Sequence, residues 1–76
     1  MSPSLPVAPA RKVIKALVEA GFIEHHTTGS HVILRHAVDH HRRVTIPMHT
    51  RDLKPKTMHH IQKQSGLSSD EFCALF

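Results

Sequence analysis

Val13, Ile14, Leu17 and Val18 fall at i, i+1, i+4 and i+5 as one apolar stripe, while Arg11, Lys12, Lys15 and Glu19 take the other side. That spacing is the period of an amphipathic helix packed on one face. The pattern starts near Ala10, and Gly21 stands just past its end, where a left-handed residue stops a helix at little cost. The period then shortens. Phe22 to Thr27 has aromatic and β-branched residues at its ends, His31 to His36 brackets the run Val32-Ile33-Leu34, and Arg42 to Ile46 alternates charged, apolar, polar and apolar. These segments predict three strands. Thr28-Gly29-Ser30 is the turn between the first two, with Gly29 suited to a positive φ. Ala37 to His41 is a polar loop, and Pro47 ends the third strand or holds it at an edge.

Pro55 suits the first turn of a second helix, where its missing N–H leaves nothing unpaired. Met58 and Ile61 give Lys56 to Ser65 a narrow apolar face, Gly66 closes that helix, and Leu67 packs back. Ser68 and Glu71 have capping-box spacing for a last short helix, Asp70 to Phe76. Residues 1–9 hold three prolines, two serines and no charge, which predicts a disordered tail before one domain over residues 10–76. The element order is α-β-β-β-α with a terminal turn, an α+β chain with a three-stranded antiparallel sheet. Both helices must cover one face of that sheet, because nothing else buries Val44, Ile46 and the first stripe. Double-stranded-RNA-binding domains share this order of elements. If Val32 and Leu34 face the helices, then His31, Ile33 and Arg35 share the open face.

Length and charge narrow the chemistry. Seventy-six residues make one small domain, and no apolar run approaches the roughly 20 residues of a membrane span, so a soluble cytoplasmic protein is expected. Cys73 is the only cysteine, which rules out an internal disulfide. Ten Lys/Arg stand against six Asp/Glu, and from Arg35 to Lys63 seven basic residues face only Asp39 and Asp52. Such an excess suits a phosphate backbone or an acidic protein. The doublets His25-His26, His40-His41 and His59-His60 raise the question of a metal. Strand neighbours point to opposite faces and helix neighbours lie about 100° apart, so no doublet chelates well alone, and no metal or other cofactor is expected. Ser30 beside His31 is weak as a nucleophilic pair, because sequence neighbours rarely meet in hydrogen-bond geometry.

RNA binding has more support, with Arg35, Arg42, Arg43, Lys54 and Lys56 as phosphate candidates beside the plainer reading of a solvated charged face. Cleaving RNA without a metal takes a base for the 2′-hydroxyl, an acid for the leaving 5′-oxygen, and positive charge on the phosphate. Imidazole serves near neutral pH, and His31 sits where a turn and a strand start would hold it, with Gly29 and Ser30 to position it. On pattern alone three readings stand: a ribonuclease, a non-catalytic RNA-binding module, and a protein-interaction domain with a basic face.

Arg11 to Leu17, then Ala20-Gly21-Phe22, Gly29-Ser30-His31 and Arg35-His36 together resemble the HicA toxin family. Val44 to His49, Leu53 to Thr57, Gly66-Leu67-Ser68 and Glu71-Phe72 continue the likeness, which spans residues 11–72. The resemblance implies a double-stranded-RNA-binding-like fold and a toxin of a type II toxin–antitoxin system. It further implies a metal-independent endoribonuclease that cleaves mRNA and arrests translation and growth, with His31 as the catalytic histidine. A HicB-type antitoxin protein would occlude the site, and DNA would be reached only indirectly, through that antitoxin. Three features depart from the family pattern. The start is Pro-rich, Val32 follows the motif where many members carry a second histidine, and the Asp39 to Arg43 loop is unusually rich in histidine.

Overall fold

The first apolar stripe folds as α1, Ala10–Glu19, in a computed structural model that describes residues 5–48 and 51–76. It is followed by strands β1 (Phe22–Thr27), β2 (His31–His36) and β3 (Arg43–Pro47), then by helices α2 (Pro55–Ser65) and α3 (Ser69–Cys73). The strands form one antiparallel sheet in the order β1-β2-β3. Phe22, Val32, Leu34, Val44 and Ile46 project to one face and are buried with Val13, Leu17, Met58, Ile61 and Phe72 from the helices. Burial of each such side chain contributes roughly 1.5–3 kcal/mol relative to exposure, and these contacts define the core. The expected α+β arrangement, with helices on one face of a three-stranded sheet, is the one observed. None of the described helices is long and apolar enough to cross a membrane.

Several details differ from the sequence reading. The stripe of α1 is centred on Ala10, Val13, Ala16 and Leu17, while Val18 is 46% exposed, so the helix is rotated toward its small residues. Leu5 to Pro9 is not a loose tail. Ala8 is 5% exposed in the core, Leu5 packs against it, and the Ala8 carbonyl accepts from Leu53 N–H at 2.8 Å beside a Pro9–Asp52 bridge. Residues 1–4 of the expected tail lie outside the described residues. β3 starts at Arg43, because Arg42 closes the β2–β3 connection, donating to Asp39 O at 3.0 Å and accepting from His36 N–H at 2.9 Å. α3 ends at Cys73 rather than Phe76. Its last residues tighten into i→i−3 bonds as the Phe76 ring tilts onto Phe72, centroids 5.4 Å apart.

The pairing sets which side chains share the open face. In β2 the register places His31 opposite Pro47, Ile33 opposite Thr45 and Arg35 opposite Arg43. On the other side Ile23 faces Arg35 and His26 faces Ile33, with His25 left over in a bulge between Glu24 and His26. Directly paired residues point the same way, so the open face carries His31, Ile33 and Arg35, flanked by Arg43 and His26.

Helix direction follows from the ends. Gln64 Oε1 accepts from Thr45 N–H at 3.0 Å, and Arg42 Nε donates to Ser65 O at 2.7 Å. The C-terminal end of α2 therefore lies at the start of β3, and its N-terminal end lies toward Pro47 and His31. The Ala8–Leu53 bond brings the start of α1 to the same end.

Candidate active site

His31 opens β2, exposed at the mouth of the β1–β2 turn. Thr28 grips its backbone from both sides. Thr28 N–H donates to His31 O at 2.8 Å, and Thr28 Oγ1 donates to that same carbonyl at 3.2 Å. Thr28 Oγ1 also accepts from His31 N–H at 3.0 Å. Just past the end of β3, Met48 N–H donates to Ser30 O at 2.8 Å. Thr28 carries no signal in the motif, and the sequence reading missed it; its hydroxyl mimics a backbone turn carbonyl, as threonine side chains do at turns. This side-chain closure also corrects the expectation for Gly29. Among the described residues only Gly21 and Gly66 have positive φ, so the turn does not need the left-handed conformation at Gly29.

Ser30 Oγ lies 3.0 Å from His31 Nδ1. The expectation that these sequence neighbours would not meet is therefore overturned, because the turn bends Ser30 back over the first residue of the strand. With Nδ1 occupied by the hydroxyl, Nε2 is the nitrogen left to exchange a proton outward. When Nδ1–H donates to Ser30, Nε2 is a base; when the imidazole is protonated, Nε2–H is an acid.

The candidate cations are spread over the molecule. Arg35 lies four residues along the strand from His31, about 13 Å at the usual rise, on the same face. Its Nε is buried with no acceptor among the described residues. Arg42 sits on the helix-covered face instead, where its guanidinium stands 5.4 Å over the Phe22 ring centroid and its Nε serves Ser65 O. Arg43 points away from it, on the open face. Lys54 and Lys56 are exposed at the N-terminal end of α2, which has no acidic residue in its first turn. Arg11 and Lys12 are exposed at the equivalent end of α1, which also has none. The end of the molecule that carries His31 thus gathers four cations and two positive helix ends. Arg11 and Lys12 look on the sequence like an ordinary solvated helix face, and only the packing of α1 against residues 52–53 brings them here.

The histidine-rich loop is explained by local bonds. His36 stands edge-on to Phe22, centroids 5.1 Å apart, and its Nδ1 accepts from Val38 N–H at 3.2 Å and Asp39 N–H at 3.0 Å. His40 Nε2 meets Ala37 O at 3.1 Å, and Asp39 Oδ1 accepts from His41 N–H at 3.3 Å. His59 and His60 are exposed on α2, and His49 lies outside the described residues. Among the described residues no three His, Cys, Asp or Glu side chains gather in a metal-binding group. The pKa of His25 is held below the usual imidazole value, chiefly by Arg35, then by partial desolvation, Arg43 and His26.

Compared with protein families, residues 10–67 match the model described as the HicA toxin of bacterial toxin–antitoxin. No match is found among curated proteins.

Proposed function

This chain belongs to the HicA toxin family of bacterial toxin–antitoxin systems, and from that premise we propose that it is a metal-independent endoribonuclease that cleaves mRNA, with His31 as general acid/base. The observation that carries the reading is the Ser30 Oγ to His31 Nδ1 contact at 3.0 Å on a backbone clamped by Thr28. An imidazole held at Nδ1 presents Nε2 in one direction, which acid/base work on a bound strand requires.

In the first step Nε2 takes the 2′-hydroxyl proton, and the 2′-oxygen attacks the adjacent phosphorus. The bond to the 5′-oxygen breaks, and that oxygen takes the proton held on Nε2 of the His31 imidazolium, giving a 2′,3′-cyclic phosphate and a 5′-hydroxyl end and returning the histidine to its neutral form. Charge on the crowded phosphate is met by the cations at this end of the sheet, Lys54 and Lys56 among them. The partner antitoxin, a HicB-type protein on this reading, silences the toxin by covering the His31 turn. Its substrate places the toxin's work in the cytoplasm, where loss of mRNA arrests translation and growth.

The test is induced expression in a bacterial host of the intact chain and of His31→Ala, with total mRNA followed over minutes. Growth arrest, mRNA loss and cyclic-phosphate ends for the intact chain only are expected. An intact chain that binds RNA but leaves it whole would place it as a non-catalytic RNA-binding module. A His31→Ala chain that still cuts would move the catalysis elsewhere.

A further inference from the structure

At the far end of the open face from His31, the fold holds cations together without balancing them. Arg35 and Arg43 are direct cross-strand partners, so two guanidinium side chains leave the same face of adjacent strands. Like charges placed opposite each other in this way oppose the pairing. The β1 bulge leaves His25 out of the register, and the field of both arginines reaches its ring. Beside them lies a hollow of about 200 Å³, whose walls include Ile23, His25, Arg35 and His40. Glu24, the carboxylate on that wall, accepts from Thr27 Oγ1 at 3.1 Å along its own strand. Arg35 Nε is buried and finds no acceptor among the described residues. Arg35 and His25 line this hollow, Arg43 stands beside Arg35 on the next strand, and an N–H lacks an acceptor among the described residues, so the site is built to receive negative charge from outside.

We propose that Arg35, Arg43 and His25 form an anion cradle that holds a backbone phosphodiester of the RNA strand, one short span away from the phosphate cut at His31. The proposal rests on the ribonuclease reading and adds to it a second anchor about 13 Å along β2. Two fixed points on one strand orient it across the open face, so that the scissile phosphate meets His31 in one register. Ile33 lies between His31 and Arg35 on this face and Ile23 stands beside Arg35 on β1, as apolar floor for the riboses and bases.

A bound phosphate changes the proton affinity of His25. In the free chain Arg35, Arg43 and His26 oppose its charging, and Glu24, His36 and His40 stand on the same hollow. The anion offsets that field and favours the imidazolium, so proton uptake and RNA binding reinforce each other. Affinity therefore rises as pH falls through the bound-state value of His25, and levels off below the free-state value.

The experiment measures binding of an eight-nucleotide single-stranded RNA to the His31→Ala chain, which leaves the RNA uncut, against salt and between pH 7.5 and 5.5. Adding R35Q and R43Q together is expected to weaken binding at least tenfold and to flatten the salt slope by about 0.7 for each phosphate no longer neutralised. R43K should restore most of the affinity, and H25Q should flatten the rise toward pH 5.5. Far-UV circular dichroism and melting of each variant separate impaired binding from impaired folding. Undiminished binding by a folded R35Q/R43Q chain overturns the cradle and leaves the ribonuclease reading standing. Binding that depends on the cradle in an intact chain that never cuts RNA keeps the cradle and overturns the ribonuclease reading. Failure of the His31→Ala chain to bind RNA at low salt overturns the cradle as well.

Discussion

Thr28, Ser30 and His31 show how few atoms hold a candidate catalytic imidazole in place. Three hydrogen bonds from Thr28 set the backbone of His31, and one hydroxyl sets its ring. Glycine at position 29 contributes little to this. A Cβ built there meets nothing within 4 Å, and the residue does not have positive φ. Gly66 is the opposite case, with φ 76° and Arg42 Nε 2.9 Å from where its Cβ would stand. Gly29→Ala is therefore expected to leave the melting temperature unchanged or slightly raised. Gly66→Ala should lower stability by roughly 1–2 kcal/mol, because an L side chain is strained in the left-handed region. That is a fall of several degrees for a domain of this size. Equal effects of the two substitutions on thermal melting would refute this account of the two glycines.

Among the elements, the α2–α3 corner is built from polar residues that a hydrophobic pattern overlooks. Gln62 and Ser65 are buried, and both are satisfied: Ser65 Oγ donates to Gln62 O at 2.6 Å and accepts from Leu67 N–H at 3.2 Å. Gln62 Nε2 donates to Leu67 O. These bonds turn the chain into α3, whose start is capped reciprocally by Ser68 and Glu71 at 2.9 and 3.1 Å. The Ser68 backbone N–H, then its hydroxyl, hold the Glu71 carboxyl below its ordinary pKa, with Arg42 adding to the effect. A carboxyl whose folded value is depressed adds stability above its unfolded value near 4.5, and loses it as pH falls through the folded value. Ser68→Ala is expected to lower the melting temperature by a few degrees at pH 7, with the difference from the parent chain shrinking as pH falls below 4. A difference that stays constant from pH 7 to pH 3 would show that the box does not carry it.

For the whole molecule, charge is sorted by the packing rather than by the run of residues. Arg42 and Arg43 are neighbours in the chain, yet one is locked over Phe22 against α2 and the other stands on the open face. Lys54 and Lys56 are brought to the His31 end because α2 runs against β3. Substituting both lysines by Gln should flatten the salt dependence of RNA binding by about 0.7 for each phosphate that a lysine had neutralised, with little change in melting. Arg42→Gln should do the reverse, melting lower while the salt slope holds. Binding that loses its slope through Arg42 and not through the lysines would contradict this division.

Sequence alone determined the elements and their order, because periodicity, Pro55 at a helix start, and Ser68 with Glu71 are local signals that survive in any packing. It also singled out His31 and the turn before it, since a glycine-serine turn running into an apolar strand is likewise local. Tertiary structure decided the rest. Leu5 to Pro9 packs down because α1 and residue 53 offer it a surface, which no feature within residues 1–9 announces. Thr28 becomes the clamp on His31 only once the hairpin closes, and His25 comes within the field of Arg35 and Arg43 only once the three strands pair. Which cations face the open side, and which brace the core, is set by strand register and helix direction. Those are fixed by burying one shared apolar face, and the energy of that burial belongs to no single segment of the chain.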